Sequence, residues 1–140
     1  MYFFYSASGS ICSFYVLLSH DLHLHIDTPV IFDDVNLNEN GCYNNGDGVF
    51  VASLDGIYMF QWKITTHSGG YAGVYVEKNG KSVGMALQVR SDNGDVSHNS
   101  ASDFAILRLQ RGDHVYLVAS LEDSFIHAGH SGFGGIYLTE

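Results

Sequence analysis

The chain has 140 residues and carries 15 acidic against 6 basic side chains, a formal net charge of −9 with its 8 histidines neutral. That balance excludes a nucleic-acid surface, because no basic stripe exists to neutralise phosphates, and it opposes adsorption to anionic membrane. With 46% apolar, 14% aromatic and 15% charged residues, this is a core-rich chain of single-domain length, not a disordered one.

Residues 1–18 are apolar and aromatic but lack the basic start of a signal peptide, and Phe14 to Leu18 reads as a first strand. Residues 1–12 are therefore expected to be an extension ahead of a domain over 13–140. No run is long enough for a transmembrane helix, so membrane insertion is not expected. His20, His23 and His25 follow; in extended chain His23 and His25 share one side, an imidazole pair with no third ligand in the adjacent sequence. Cys12 and Cys42 fit no zinc spacing, and three states suit them: an intrachain disulfide, a bridge between subunits, or two reduced thiols. Tyr58, Phe60, Trp62 and Ile64 alternate with Met59, Gln61 and Lys63, which predicts a strand.

Asn79-Gly80 lies between two β-rich runs, Val74 to Lys78 and Ser82 to Val89, and predicts a tight hairpin. Two further strands are expected around Ala105, Leu107 and Leu109 and around Val115, Leu117 and Ala119, with Asp113 capping the turn between them. No window offers a capped amphipathic helix, and 16 glycines against 1 proline suit short strands joined by tight turns. The pattern predicts an all-β sandwich or jelly roll. Ala101 to Leu109, Val115 to Leu121 and Gly132 to Leu138 are apolar on both faces. Either a thick core with some apolar surface or a subunit interface accounts for that.

Phe32, Asn38, Tyr43, Phe50, Gly56, Tyr58 and Phe60, in this order and spacing, resemble the signature of the globular head domain of complement component 1q. The similarity continues through Glu77-Lys-Asn-Gly80, through Leu109-Gln-Arg-Gly-Asp-His-Val-Tyr-Leu117, and through the closing Phe133-Gly-Gly135 strand. Trp62 stands where the family usually has Phe or Tyr, and Leu54 where it often has Pro. The resemblance implies a jelly roll of about ten antiparallel strands, related to tumour necrosis factor and assembled as a homotrimer. With no Gly-x-y collagen run ahead of the domain, a head-only member of the invertebrate type is expected.

For function, the resemblance implies a secreted, extracellular, lectin-like pattern-recognition protein of innate immunity. It would bind glycans or other repeated microbial or cell-surface ligands by avidity. Tyr71, Asn93, His127 and His130 are the candidate ligand contacts. Asp92, Asp95 and Asp103 are the candidate calcium ligands, since oxygen side chains on a glycine turn suit a hard cation. Asn99 falls where some family members place a calcium-binding Asp, which departs from their axial site. Tyr58, Phe60, Trp62, Tyr116, Phe133 and Ile136 are assigned to the core and trimer interface. No nucleophile elbow, metalloprotease helix or paired-carboxylate setting accompanies the Ser, His and Asp residues, so catalysis is not expected. Two alternatives are an acidic matrix or biomineral-associated protein and a signalling ligand resembling tumour necrosis factor.

Overall fold

The structure is a computed structural model that describes residues 10–92 and 98–140. Its strands, in chain order, are β1 (Ser13–Leu17), β2 (Leu22–Leu24), β3 (Asp34–Glu39), β4 (Tyr43–Asn44), β5 (Val49–Val51), β6 (Gly56–His67) and β7 (Tyr71–Lys78). They continue as β8 (Lys81–Ser82), β9 (Leu87–Arg90), β10 (His98–Leu109), β11 (His114–Ala119), β12 (Ser124–Ile126) and β13 (Gly132–Thr139), with a 3₁₀ turn at Ala128–His130. One sheet has the order β10-β6-β13-β1-β3, the other β4-β5-β11-β7-β8 with β9 also on β7, and β2 pairs with β12 apart from both. All of these pairings are antiparallel, giving the jelly-roll sandwich that the alternation predicts.

The core lies between the sheets and is largely aromatic. Phe14 stacks on Tyr43 and Phe50 at 5.1 Å between ring centres and meets Phe133 edge-on at 5.0 Å. Tyr58, Phe60, Trp62 and Phe133 are all buried here, so these four serve the monomer's interior. Such rings remove large apolar areas from water and add offset or edge-to-face attraction.

The spaced signature has a physical role at each position. The Tyr43 hydroxyl donates to the Phe32 carbonyl (2.8 Å) and accepts from the Phe32 amide (3.1 Å), tying β4 to the chain just before β3. Burial holds the Tyr43 phenol well above its ordinary pKa. Asn38 donates through Nδ2 to the Tyr43 carbonyl (2.8 Å) and accepts the Tyr43 amide at Oδ1 (3.1 Å). One side chain thus stands in for a strand partner. At Gly56 a Cβ would lie 2.5 Å from the Thr139 carbonyl, so only glycine permits that approach. Trp62 fills its position at the expense of a buried Nε1 that has no hydrogen-bond partner among the described residues.

The expected hairpin forms with Asn79 and Gly80 at φ of 51° and 87°, the left-handed pair that a two-residue turn requires. Its second arm is interrupted: β8 stops at Ser82, and pairing with β7 resumes only at Leu87. Asp113 caps the next turn, accepting the Gln110 amide (2.8 Å) and Asn79 Nδ2 (2.9 Å). Those bonds, in that order, hold its carboxyl below the ordinary value.

On β11 the expected alternation breaks at Val118, which is buried along with Leu117 and Ala119. Residues 27–30 run over it, with amide–carbonyl bonds of 2.8 Å from Asp27 to Ala119, from Ala119 to Thr28 and from Val30 to Leu117. Part of the surplus apolar surface is therefore covered within the chain. Of the three states open to the cysteines, the intrachain disulfide is the one present: Cys12 and Cys42 are paired with Cα atoms 6.0 Å apart.

Candidate functional site

The outer face of the five-stranded sheet is not covered. Cross-strand register sets Ile106, Met59 and Ile136 side by side on β10, β6 and β13. The next row runs Phe104, Gln61, Gly134, Tyr15 and Leu37 across all five strands. Phe104, Ile106 and Ile136 are 58%, 57% and 45% exposed. Gly134 and Gly132 carry no side chain here; a Cβ on Gly134 would come within 3.3 Å of the Tyr15 ring. The result is a groove of about 790 Å³ bordered by Tyr15, Met59, Lys63 and Ile136 and ending at His130.

Beyond that end sits a cluster of imidazoles. Ring centres of His98 and His127 are 4.2 Å apart, those of His98 and His130 5.5 Å, and those of His127 and His130 5.6 Å. Buried Thr65 fixes the arrangement. Its amide donates to Ser131 Oγ (3.0 Å), its hydroxyl donates to the His130 carbonyl (2.7 Å), and its carbonyl accepts the His127 amide (2.7 Å). Ser100 of β10 meets the same hydroxyl at 2.7 Å. Asp21 joins from the other side, accepting the Ala128 amide at 2.8 Å. Desolvation, and then the adjacent His127 and His130, lower the His98 pKa; Asp21 opposes this, and His67, paired with His98 across β6 and β10, adds to it.

The sequence candidates are dispersed over the molecule. His127 and His130 come together, whereas Tyr71 opens β7 with the Arg90 guanidinium 5.4 Å above its ring, so one ring face is already occupied. Tyr116 is half-buried and lies on the outward side of the second sheet, so it shares no surface with Ile136. Asn93 and Asp95 lie outside the described residues. Asp92 is exposed at the end of β9, while Asp103 sits opposite Trp62 in mid-β10, its Oδ1 accepting the Phe104 amide (2.8 Å). Asn99 is engaged with the Arg90 carbonyl (2.8 Å). Among the described residues, Asp92 and Asp103 join no group of three His, Cys or carboxylate ligand atoms within metal-binding reach.

The one such group among the described residues is His25, Glu122 and Asp123, all exposed. His25 Nδ1 is 2.7 Å from Glu122, and His23 Nε2 is 3.7 Å from Asp123, so each imidazole takes a carboxylate and the two do not pair with each other. His98, Asp21 and Thr65 escaped the sequence reading, since only long-range register brings them to the 3₁₀ turn.

Two antiparallel sheets around an aromatic core, with one sheet face left open, define a jelly-roll binding domain. The chain belongs to the C1q domain family, whose model matches residues 13–138. It is 36% identical over 90 residues to complement C1q tumor necrosis factor-related protein 2 of Mus musculus, covering 64% of this chain and 29% of that protein. It is 32% identical over 112 residues to protein HP-25 homolog 1 of Bos taurus, covering 79% of this chain and 50% of that protein. The match thus spans half or less of each relative's length.

Among solved structures, the globular domain of zebrafish complement 1qA protein superposes with a TM-score of 0.73 at 20% identity, covering 92% of this chain and 98% of that one. Murine APRIL superposes at 0.64 with 15% identity, covering 92% and 100%. At such identities the likeness speaks to fold. Proteins of this family act as binding or signalling proteins, not enzymes. No helix among the described residues is long and apolar enough to cross a membrane.

Proposed function

We propose that the chain is a secreted, lectin-like recognition protein of innate immunity, working as a homotrimer that presents equivalent sites to glycans or other repeated surface ligands. The observation that carries this reading is the open outer face of the five-stranded sheet. Phe104, Ile106, Ile136, Tyr15 and Leu37 are each more than two-fifths exposed in a single chain. A contiguous apolar face of this kind favours burial against another copy, and a closed ring is the usual way to satisfy all copies equally. The disulfide supports an oxidising, extracellular setting. Avidity then follows from symmetry, since weak single contacts multiply when three sites engage one surface.

A glycan and microbial-polysaccharide array, probed with the wild-type protein and with an Ile136→Asp variant, tests the reading. Binding by the assembled protein that falls about a hundredfold or more in a folded, dissociated variant supports it. Silence on every glycan from an intact trimer contradicts the lectin assignment. The similarity to complement C1q tumor necrosis factor-related protein 2 would then favour a protein partner and a signalling role.

A further inference from the structure

We propose that His98, His127 and His130 make the 3₁₀ turn an acid-sensitive latch, closed while the rings are neutral and released at one end of the outer groove when they protonate. The bond at its centre runs from the Gly129 amide to His127 Nδ1, 3.0 Å. A ring nitrogen that accepts a hydrogen bond carries no proton, so the proton of neutral His127 lies on Nε2. A second proton can add only at Nδ1, where it removes the acceptor. Protonation of His127 and release of the Gly129 amide are therefore one event.

The neighbours of that bond oppose closure in acid. Ring centres 4.2, 5.5 and 5.6 Å apart put the three imidazoles in the range where like charges repel. His67 faces His98 from β6; its Nδ1 is 2.6 Å from the Ser68 carbonyl, which can only accept, so that nitrogen keeps its proton. Lys63 of β6 and Asp34 of β3 border the groove that His130 ends. From the β9 side come Arg90, set over the Tyr71 ring, and Asp92. Asp21 is the counter-charge at the turn, bonded to the Ala128 amide, and one carboxylate against three imidazoliums leaves a positive excess. Desolvation, then His127 and His130, hold the His98 pKa below its ordinary 6.5, so the folded protein favours the neutral ring. The stability this gives is full above that value and is lost as pH falls through the lower folded one.

The other imidazoles respond in the opposite sense. His20, His23 and His25 lie 3.8, 3.7 and 2.7 Å from Asp33, Asp123 and Glu122, so protonation strengthens those contacts. None of the three clustered rings has a carboxylate within ion-pair distance among the described residues. Acid thus acts selectively on the 3₁₀ turn, and because Ala128, Gly129 and His130 line the groove, release reshapes the outer face at that end. The latch needs only one chain, so it stands apart from the assembly proposed above.

NMR of the full chain from about pH 7.5 to about pH 5.5 tests the proposal, following the Gly129 amide, the imidazole rings and amide exchange. In the wild type the Gly129 amide proton should move upfield as its bond is lost. Exchange protection of the His127 amide, which is bonded to the Thr65 carbonyl, should fall about tenfold, while the Val30 amide bonded to Leu117 stays protected. His127→Asn keeps an oxygen that can accept the Gly129 amide but does not titrate, and should hold that amide in place across the range. His20→Gln, outside the cluster, should leave the wild-type response unaltered. A Gly129 amide that stays fixed in the wild type, one that still moves in His127→Asn, a response lost in His20→Gln, or equal loss of protection at Val30 overturns the latch. If His127→Asn fails to fold, the wild-type titration decides: Gly129 and the His98 ring moving with one midpoint support the latch, and separate midpoints refute it.

Discussion

The two faces of the five-stranded sheet come from the same strands and meet different fates. On β6, Tyr58, Phe60 and Trp62 are at most 2% exposed, packed under the second sheet, while Met59, Gln61 and Lys63 face outward. On β10 the outward Phe104 and Ile106 are as apolar as many core residues, yet more than half of each is exposed. Inward packing is closed by this chain alone, with rings 5 to 6 Å apart. Outward packing is complete only if something else supplies the second layer. Alternation therefore marks a strand, but it does not say which face the chain itself will cover.

The comparison breaks most visibly on the inner face. Phe60→Ala should cost about 3–5 kcal/mol, lowering the thermal midpoint by roughly 10 °C or more, because the cavity sits among four other rings. Replacing Cys12 and Cys42 with serine should cost about 3–4 kcal/mol for a loop of this length, read from thermal melts with and without reductant. Asp113→Asn should cost about 1 kcal/mol through the weakened cap at the β10–β11 turn.

That carboxyl also predicts a pH dependence. Its folded pKa lies below the ordinary 3.8, so its contribution is full above that value and fades as pH falls through the lower folded one. Urea midpoints measured on the acid side should therefore drop less steeply in Asp113→Asn than in the wild type. The outer face should be the mildest in folding terms. Ile136→Asp should change monomer stability by only about 0.5 kcal/mol, since the site is solvated in the single chain.

Much of the fold could be read from local chemistry. The signature aromatics converge in one core because their spacing matches the period of strands that face each other, and Asn79-Gly80 turns because both residues tolerate positive φ. The parts that were not legible depend on contacts between distant segments. Val118 reads as outward until residues 27–30 are laid over it. Tyr71 reads as an open ring until Arg90 arrives from the paired strand. His98 reads as an isolated polar residue, and only its register opposite His67, with Thr65 holding the 3₁₀ turn, brings it to His127 and His130. Tyr116 and Ile136 look equivalent in sequence, and sheet order alone separates them.

Light scattering on size-separated protein tests the central claim that the outer face is an interface. Wild-type protein is expected at three times the chain mass, with Ile136→Asp and Phe104→Asp folded at one chain mass. A wild-type monomer, or a trimer that survives both substitutions, would contradict the account.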